Sequence, residues 1–399
     1  MPRLDHSLSI LPFVVIGVLW LLRSRNSKRK PLPPGPRPLP FIGNFLDVPH
    51  KNRPAVYRDL NDKYGDVVYL DVLGQPTVIL GSHAAAVDLL EKRSSIYSTR
   101  RVPPMAEISG FDWFFVMSPY GDRWRRTRRA FHEFMHAHAV PRHHHVMDAE
   151  VRKYLLCLLD DPARYRDHTT QLFSAVVLRV TYGLDVHAPG GAEYVQTVAD
   201  AQKAIGEAFR FGKYPLAQVP LLRHLPGWVP GMGFKHECEG WRSAARRTLE
   251  VPWEAAQKAA RGGNTGPSMA SFLMEREEQC GGEEVAKAVA ASVYAGGSET
   301  STATLDVFYL AMASHPEAQV RAQRELEAVV GSDRLPTASD RHNLPYVTAV
   351  MKEVMRWKPV VPLGVAHRSV EEDEYMGYHI PKGTGVIIYV LEVLVKLDV

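Results

Sequence analysis

Along this chain the apolar positions form β-branched runs in two places and recur at helical spacing over most of the rest. Residues 66–81 (DVVYLDVLGQPTVILG) place two such runs around Leu73-Gly74-Gln75, which predicts a hairpin. Residues 375–388 (YMGYHIPKGTGVII) predict a second, shorter hairpin. Helical periodicity is best over 84–93, 123–139, 149–159 and 172–182. Residues 261–268 (RGGNTGPS) are a polar Gly/Pro break and predict a surface loop. A long helix is expected from Glu283, apolar-rich over 285–313, and Pro316, Pro336 and Pro345 punctuate the later helices. With no internal repeat, heptad array or low-complexity tract, the pattern predicts one mainly helical domain with a small β part.

The N-terminal pattern differs from the rest. Residues 8–22 (LSILPFVVIGVLWLL) carry no charge. As a helix they would reach ~22 Å against a hydrocarbon core of about 30 Å, a marginal span that needs flanking residues or local thinning. A cleaved signal peptide is the competing reading. Against it, no small-x-small site follows, and Arg23, Arg25, Lys28, Arg29 and Lys30 come directly after the apolar run. Positive-inside logic puts that collar and the bulk of the chain on the cytosolic side. Residues 31–40 (PLPPGPRPLP) are extended and stiff by composition. The expected organisation is an anchor and basic collar over 1–30, a proline hinge over 31–40 and a catalytic body over 41–399.

Composition narrows the function classes. The 399 residues are 45% apolar and 23% charged, which fits a globular protein and not a disordered or collagen-like one. Lys and Arg number 48 against 44 Asp and Glu, and without the five collar residues the basic excess disappears. The basic pI near 8.8 therefore reports one local cluster, and no nucleic-acid partner is implied. A mean hydropathy of −0.19 makes most of the mass water-soluble. Cys157, Cys238 and Cys280 stand far apart, which argues against a disulfide framework and a structural zinc site and favours a reducing, cytosol-facing environment. Of 17 histidines, His132 and His136 have the i, i+4 spacing of a metal pair, but a solvated helix end and loop is the better reading.

Three stretches carry candidate chemistry. In the long helix, Gly296 and Gly297 cost roughly 1 kcal/mol each relative to alanine, and Ser298, Glu299, Thr300 and Ser301 follow at once. A widened groove holding a small molecule, with an acid and a hydroxyl to relay protons, would explain that arrangement; a surface helix with Glu299 in solvent is the plain alternative. Glu353 and Arg356 are three residues apart on one predicted helical face, close enough to pair. Residues 121–129 (GDRWRRTRR) hold five arginines around Trp124. Trp124 and Arg128 lie one turn apart and could stack on a ligand and bind its carboxylates; a solvated basic face or a surface for an acidic partner accounts for most of the others.

In this order, the motifs resemble the cytochrome P450 family of haem-thiolate monooxygenases, in its eukaryotic membrane-anchored form and in the style of fungal members. The resemblance runs from the anchor and the Pro33-Pro34-Gly35-Pro36 hinge through Trp124–Arg128, Gly296–Ser301, Glu353–Arg356 and Pro362–His367 (PLGVAH) to Lys382-Gly383-Thr384. It implies a P450-like fold and haem b. Trp124, Arg128 and His367 would contact the haem propionates. Glu299 and Thr300 would deliver protons for oxygen activation beside the Gly296-Gly297 groove, and Glu353 and Arg356 would hold the core around the haem. Implied partners are dioxygen, an apolar small-molecule substrate, an NADPH-dependent reductase and the endoplasmic reticulum membrane, crossed once with the body in the cytosol. Residues 103–115 and 204–234 would be the specificity segments, and they show only apolar and aromatic bias.

The chain departs from the family in one respect. The axial cysteine lies in a Phe-x-x-Gly-x-Arg-x-Cys-x-Gly segment, which these residues do not contain. The expectation is a family member lacking its last part and without an axial metal ligand. The alternatives are an inactive, truncated relic, or a membrane-tethered helical binding module using the arginine-rich helix.

Overall fold

The computed structural model describes residues 30–49, 51–210, 213–214, 225–230, 232–263 and 266–389. The expected anchor, residues 8–22, lies outside them. No helix among the described residues is long and apolar enough to cross a membrane.

After helix α1 (Arg53–Tyr64), strands β1 (Val67–Val72) and β2 (Gln75–Leu80) form the first expected hairpin. Its two turn residues, Leu73 (φ 53°) and Gly74 (φ 76°), both take positive φ, the two-residue connection whose twist matches the strands. The expected helix at 84–93 is an α-helix over His83–Val87 running into a π-helix over Asp88–Lys92. Ser82 starts it by accepting the Ala85 N–H through its hydroxyl.

Strand β3 (Thr99–Arg100) precedes α2 (Asp122–Met135), α3 (His144–Asp160), α4 (Tyr165–Tyr182), α5 (Gly191–Ala208) and α6 (Phe234–Arg261). Then come α7 (Met269–Glu275), the long α8 (Glu283–Ser314), α9 (Pro316–Val330) and α10 (Pro345–Trp357). Pro316 and Pro345 each open a helix at its first position, where the missing N–H costs nothing. Helix α2 stops short of residue 139 because His136 turns to an extended backbone (ψ 158°) and Pro141 enters the next short 3₁₀ turn.

The core follows α8. Its first half, Val285 to Ala295, is buried almost throughout, and the alanines at 286, 288, 290 and 291 let α4, α5 and α6 approach closely. From Gly296 on, apart from Ser298 and Ala311, the helix is half-buried or exposed.

Strands β4 (His367–Arg368), β5 (Asp373–Tyr375), β6 (Tyr378–Ile380) and β7 (Gly385–Ile388) shift the second expected hairpin. The hairpin is present as β5–β6, with Tyr375 paired to Tyr378, but it ends at Ile380, and β7 leaves it for the larger sheet in the order β1-β2-β7-β4-β3. There β7 runs parallel to β2, with Val386 beside Val78. Its Val-Ile-Ile run gains burial between two strands that a local hairpin would not provide. The proline stretch 31–40 is laid against both sheets and does not stand free. Pro34 O accepts the Tyr69 N–H, Pro31 O accepts the His379 N–H, and Pro36 O accepts the Asn44 amide.

Candidate functional site

The two glycines of α8 meet different surroundings. A Cβ at Gly297 would lie 3.1 Å from Val177 Cγ2 of α4, so that glycine permits a close helix–helix approach. A Cβ at Gly296 would meet nothing within 4 Å, so the chain leaves open space on that side. Gly296 thus faces open space, while Gly297 is explained by packing.

Thr300 donates its hydroxyl to Gly296 O at 2.6 Å, and Ser298, Thr302 and Thr304 repeat this back-bonding to the preceding turn. The Thr300 proton is engaged while its oxygen lone pairs stay available. Both Glu299 and Thr300 are exposed. The plain alternative weighed for Glu299, a side chain in solvent, is how it stands here.

Trp124 and Arg128 share a face of α2. The Trp124 ring lies 5.1 Å from Tyr120, and the Arg128 guanidinium is 5.3 Å over Phe131. The Tyr120 N–H donates to Thr99 Oγ1 at 2.9 Å, tying this helix entry to β3. On the other side of β3, Arg100 pairs in register with His367 of β4. Thus β3 links the surroundings of Trp124 to His367, two residues far apart in sequence.

His367 Nδ1 lies 2.7 Å from Tyr97 O, an atom that can only accept, so Nδ1 carries the proton. Burial, then the Arg100 charge, push this imidazole below its usual range, against the opposing Tyr97 bond. Neutral His367 therefore presents a lone pair at Nε2. A carboxylate placed there would draw a second proton onto the ring.

Arg100, which sequence reading did not single out, stands opposite His367. It donates to Val365 O at 2.5 Å, and burial lowers its pKa. Nothing local in Ser98-Thr99-Arg100-Arg101 marks it, because its importance comes from the strand opposite.

Glu353 and Arg356 do pair, through two hydrogen bonds of 2.5 and 2.6 Å that lower the carboxylate pKa. The pair is not enclosed: Glu353 keeps 57% of its side-chain surface and Arg356 31%. It lies on the rim of a groove of about 540 Å³ between the end of α8, α9 and α10, lined by Met312, His315, Tyr346 and Trp357. A pair this exposed contributes little stability by itself.

Arg128 and the Trp124 indole on α2, and Arg100 beside His367 in the β3–β4 pair, are donors of the kind that suit the carboxylates of a haem. The cysteines do not supply an axial thiolate beside Gly296. Cys157 is on the exposed side of α3, and Cys238 is buried among Met105, Met232 and Phe234 with its thiol pushed up to about 11 by burial. Cys280 is buried three residues before α8, and Gly296 lies roughly 20 Å further along the helix axis at 1.5 Å per residue. Its thiol is likewise raised by burial. The described residues also hold no group of three or more His, Cys, Asp and Glu able to bind a metal ion.

Comparison with known proteins places these motifs in one family. The family model of cytochrome P450 matches residues 33–397. A protein named cytochrome P450 monooxygenase COX1, from Coprinopsis cinerea, is 37% identical over 96% of this chain and 77% of its own length. Cytochrome P450 monooxygenase 208 from Postia placenta is 39% identical over 96% of this chain and 74% of its own. Cytochrome P450 monooxygenase ppsD from Aspergillus oryzae is 36% identical over 91% and 70%.

Proposed function

The chain belongs to the cytochrome P450 family, whose cofactor is haem, and on that premise we propose that it inserts one oxygen atom of dioxygen into an apolar small molecule, using electrons from an NADPH-dependent reductase. It is a P450-type monooxygenase by its family and its relatives' names. Residues 1–30 would hold the body on the cytosolic face of the endoplasmic reticulum membrane, a reading that rests on the apolar run and the basic collar.

The observation that carries the catalytic reading is the open side of α8 at Gly296, with Glu299 and Thr300 on the following turn. Haem, when bound, supplies the redox chemistry that activates dioxygen. This chain's own groups do the rest. Arg128, Arg100 and the Trp124 N–H neutralise and orient carboxylates, and His367 takes up a proton as one arrives. Thr300 Oγ, its own proton held by Gly296 O, would accept a hydrogen bond through its free lone pairs, and Glu299 on the same turn would exchange protons with solvent. The exposed arginines of α2, Arg123, Arg126 and Arg129, offer an acidic reductase a cationic surface.

Membranes making the protein with its reductase should transfer one atom of isotope-labelled dioxygen into an apolar substrate, read by mass spectrometry. NADPH consumption with bound haem and no labelled product would overturn the reading.

A further inference from the structure

Helix α3 turns Val146, Glu150 and Tyr154 into the molecule. Its opposite face is apolar where a solvent-facing helix ordinarily carries polar side chains: Leu156 is 66% exposed and Leu159 82%. Single exposed leucines are common, but these two lie three residues apart on one stripe. Arg152 and Asp160 flank Leu156 at four residues on either side, and both are exposed. Neither forms an ion pair among the described residues.

The order cation, leucine, anion complements itself when reversed. A second α3 laid antiparallel, with a two-fold axis at Leu156, sets Leu156 on Leu156 and Arg152 of each copy beside Asp160 of the other. Leu159 then meets the aliphatic stem of Lys153 in the second copy, whose ammonium Glu150 holds at 2.8 Å and whose side chain stays 44% exposed. A parallel pairing in register would instead set Arg152 against Arg152 and Asp160 against Asp160. The two-fold arrangement closes on itself and stops at two copies.

We propose that the Arg152–Leu156–Leu159–Asp160 face of α3 is an interaction surface whose partner is a second copy of this chain, paired antiparallel. The pairing is independent of the oxygen chemistry. One helix pair is a contact of the weak, transient size class, so a covalent trap reads it best. Cys157 supplies one, being exposed where Cys238 and Cys280 are buried. One residue from the axis, the two Cys157 residues lie about 10 Å apart, close to the spacing of packed helix axes.

The test uses the full chain in membranes, with Met351→Glu and Met355→Lys to exclude the exposed methionines of α10. A short bis-maleimide should give a dimer band on a denaturing gel, and Cys157→Ser should remove it. Arg152→Asp alone, or Asp160→Arg alone, turns both ion pairs into like-charge contacts. Each should need about tenfold more protein in the membrane for the same dimer yield. Yield should return when one chain carries both substitutions. It should also return when the two single variants, bearing different tags, are made together, now as a dimer of unlike chains. That recovery needs two folded partners, so misfolding of a single variant cannot imitate it. No dimer band from the chain that keeps Arg152 and Asp160 would overturn the proposal. So would a band indifferent to the single reversals, or one that neither combination restores.

Discussion

Gly296 and Gly297 have the same helix propensity, so their substitutions separate local from tertiary cost. Gly296→Ala meets open space and should stabilise the protein by up to about 1 kcal/mol in urea unfolding. Gly297→Val drives methyl groups into Val177 and should cost about 1–3 kcal/mol. Adding Val177→Ala should recover part of that loss; no recovery would show that the contact is not the cause. Thr300→Ala keeps the helix but removes the hydroxyl held to Gly296 O. In turnover it should divert reducing equivalents to peroxide, with Thr300→Ser retaining coupling. Equal product per NADPH in the wild type and Thr300→Ala would remove Thr300 from proton delivery.

At the scale of elements, the junction of α2 and α3 carries a pH dependence. His143 is 5% exposed, its Nε2 has no partner among the described residues, and Phe134 of α2 lies 5.1 Å from its ring. Burial lowers its pKa from the ordinary 6.5, and neighbouring Arg142, His145 and His144 add to that. His367 of β4 is shifted the same way. For both, the unfolded chain binds the proton more readily. Stability is therefore complete above about pH 6.5 and falls as pH drops below it. Urea midpoints between about pH 5 and 7.5 should rise with pH, and His143→Gln should flatten the slope. An unchanged slope would assign the dependence to other groups.

Across the whole molecule, burial is uneven. The core around the first half of α8 is closed, whereas α9 has no buried residue and α10 buries only Val354. Met351, Met355, Val360 and Val361 are exposed beside the Glu353–Arg356 rim. An apolar surface of this kind drives association, so the 399-residue protein should self-associate in light scattering. Met351→Glu with Met355→Lys should reduce that association, and identical scattering from the double variant would place the sticky surface elsewhere. The cysteine placements give a spectroscopic expectation for the same 399 residues. Reduced with carbon monoxide, they should lack the long-wavelength Soret band of thiolate-bound haem. Its appearance would mean that Cys157, Cys238 or Cys280 reaches the iron.

What the sequence by itself determined was local. The β1–β2 hairpin was legible because its turn and both strands are contiguous, and α8 because a long apolar run has one helical solution. Trp124–Arg128 and Glu353–Arg356 were legible because helical spacing sets which side chains share a face. Tertiary structure alone decided that β7 leaves its neighbour to lie parallel to β2, that Gly297 serves packing while Gly296 faces open space, and that Arg100 stands opposite His367. Periodicity records which side of an element is apolar, whereas register, enclosure and hydrogen-bond partners depend on residues far away in the chain, whose positions are fixed only when the core closes around α8.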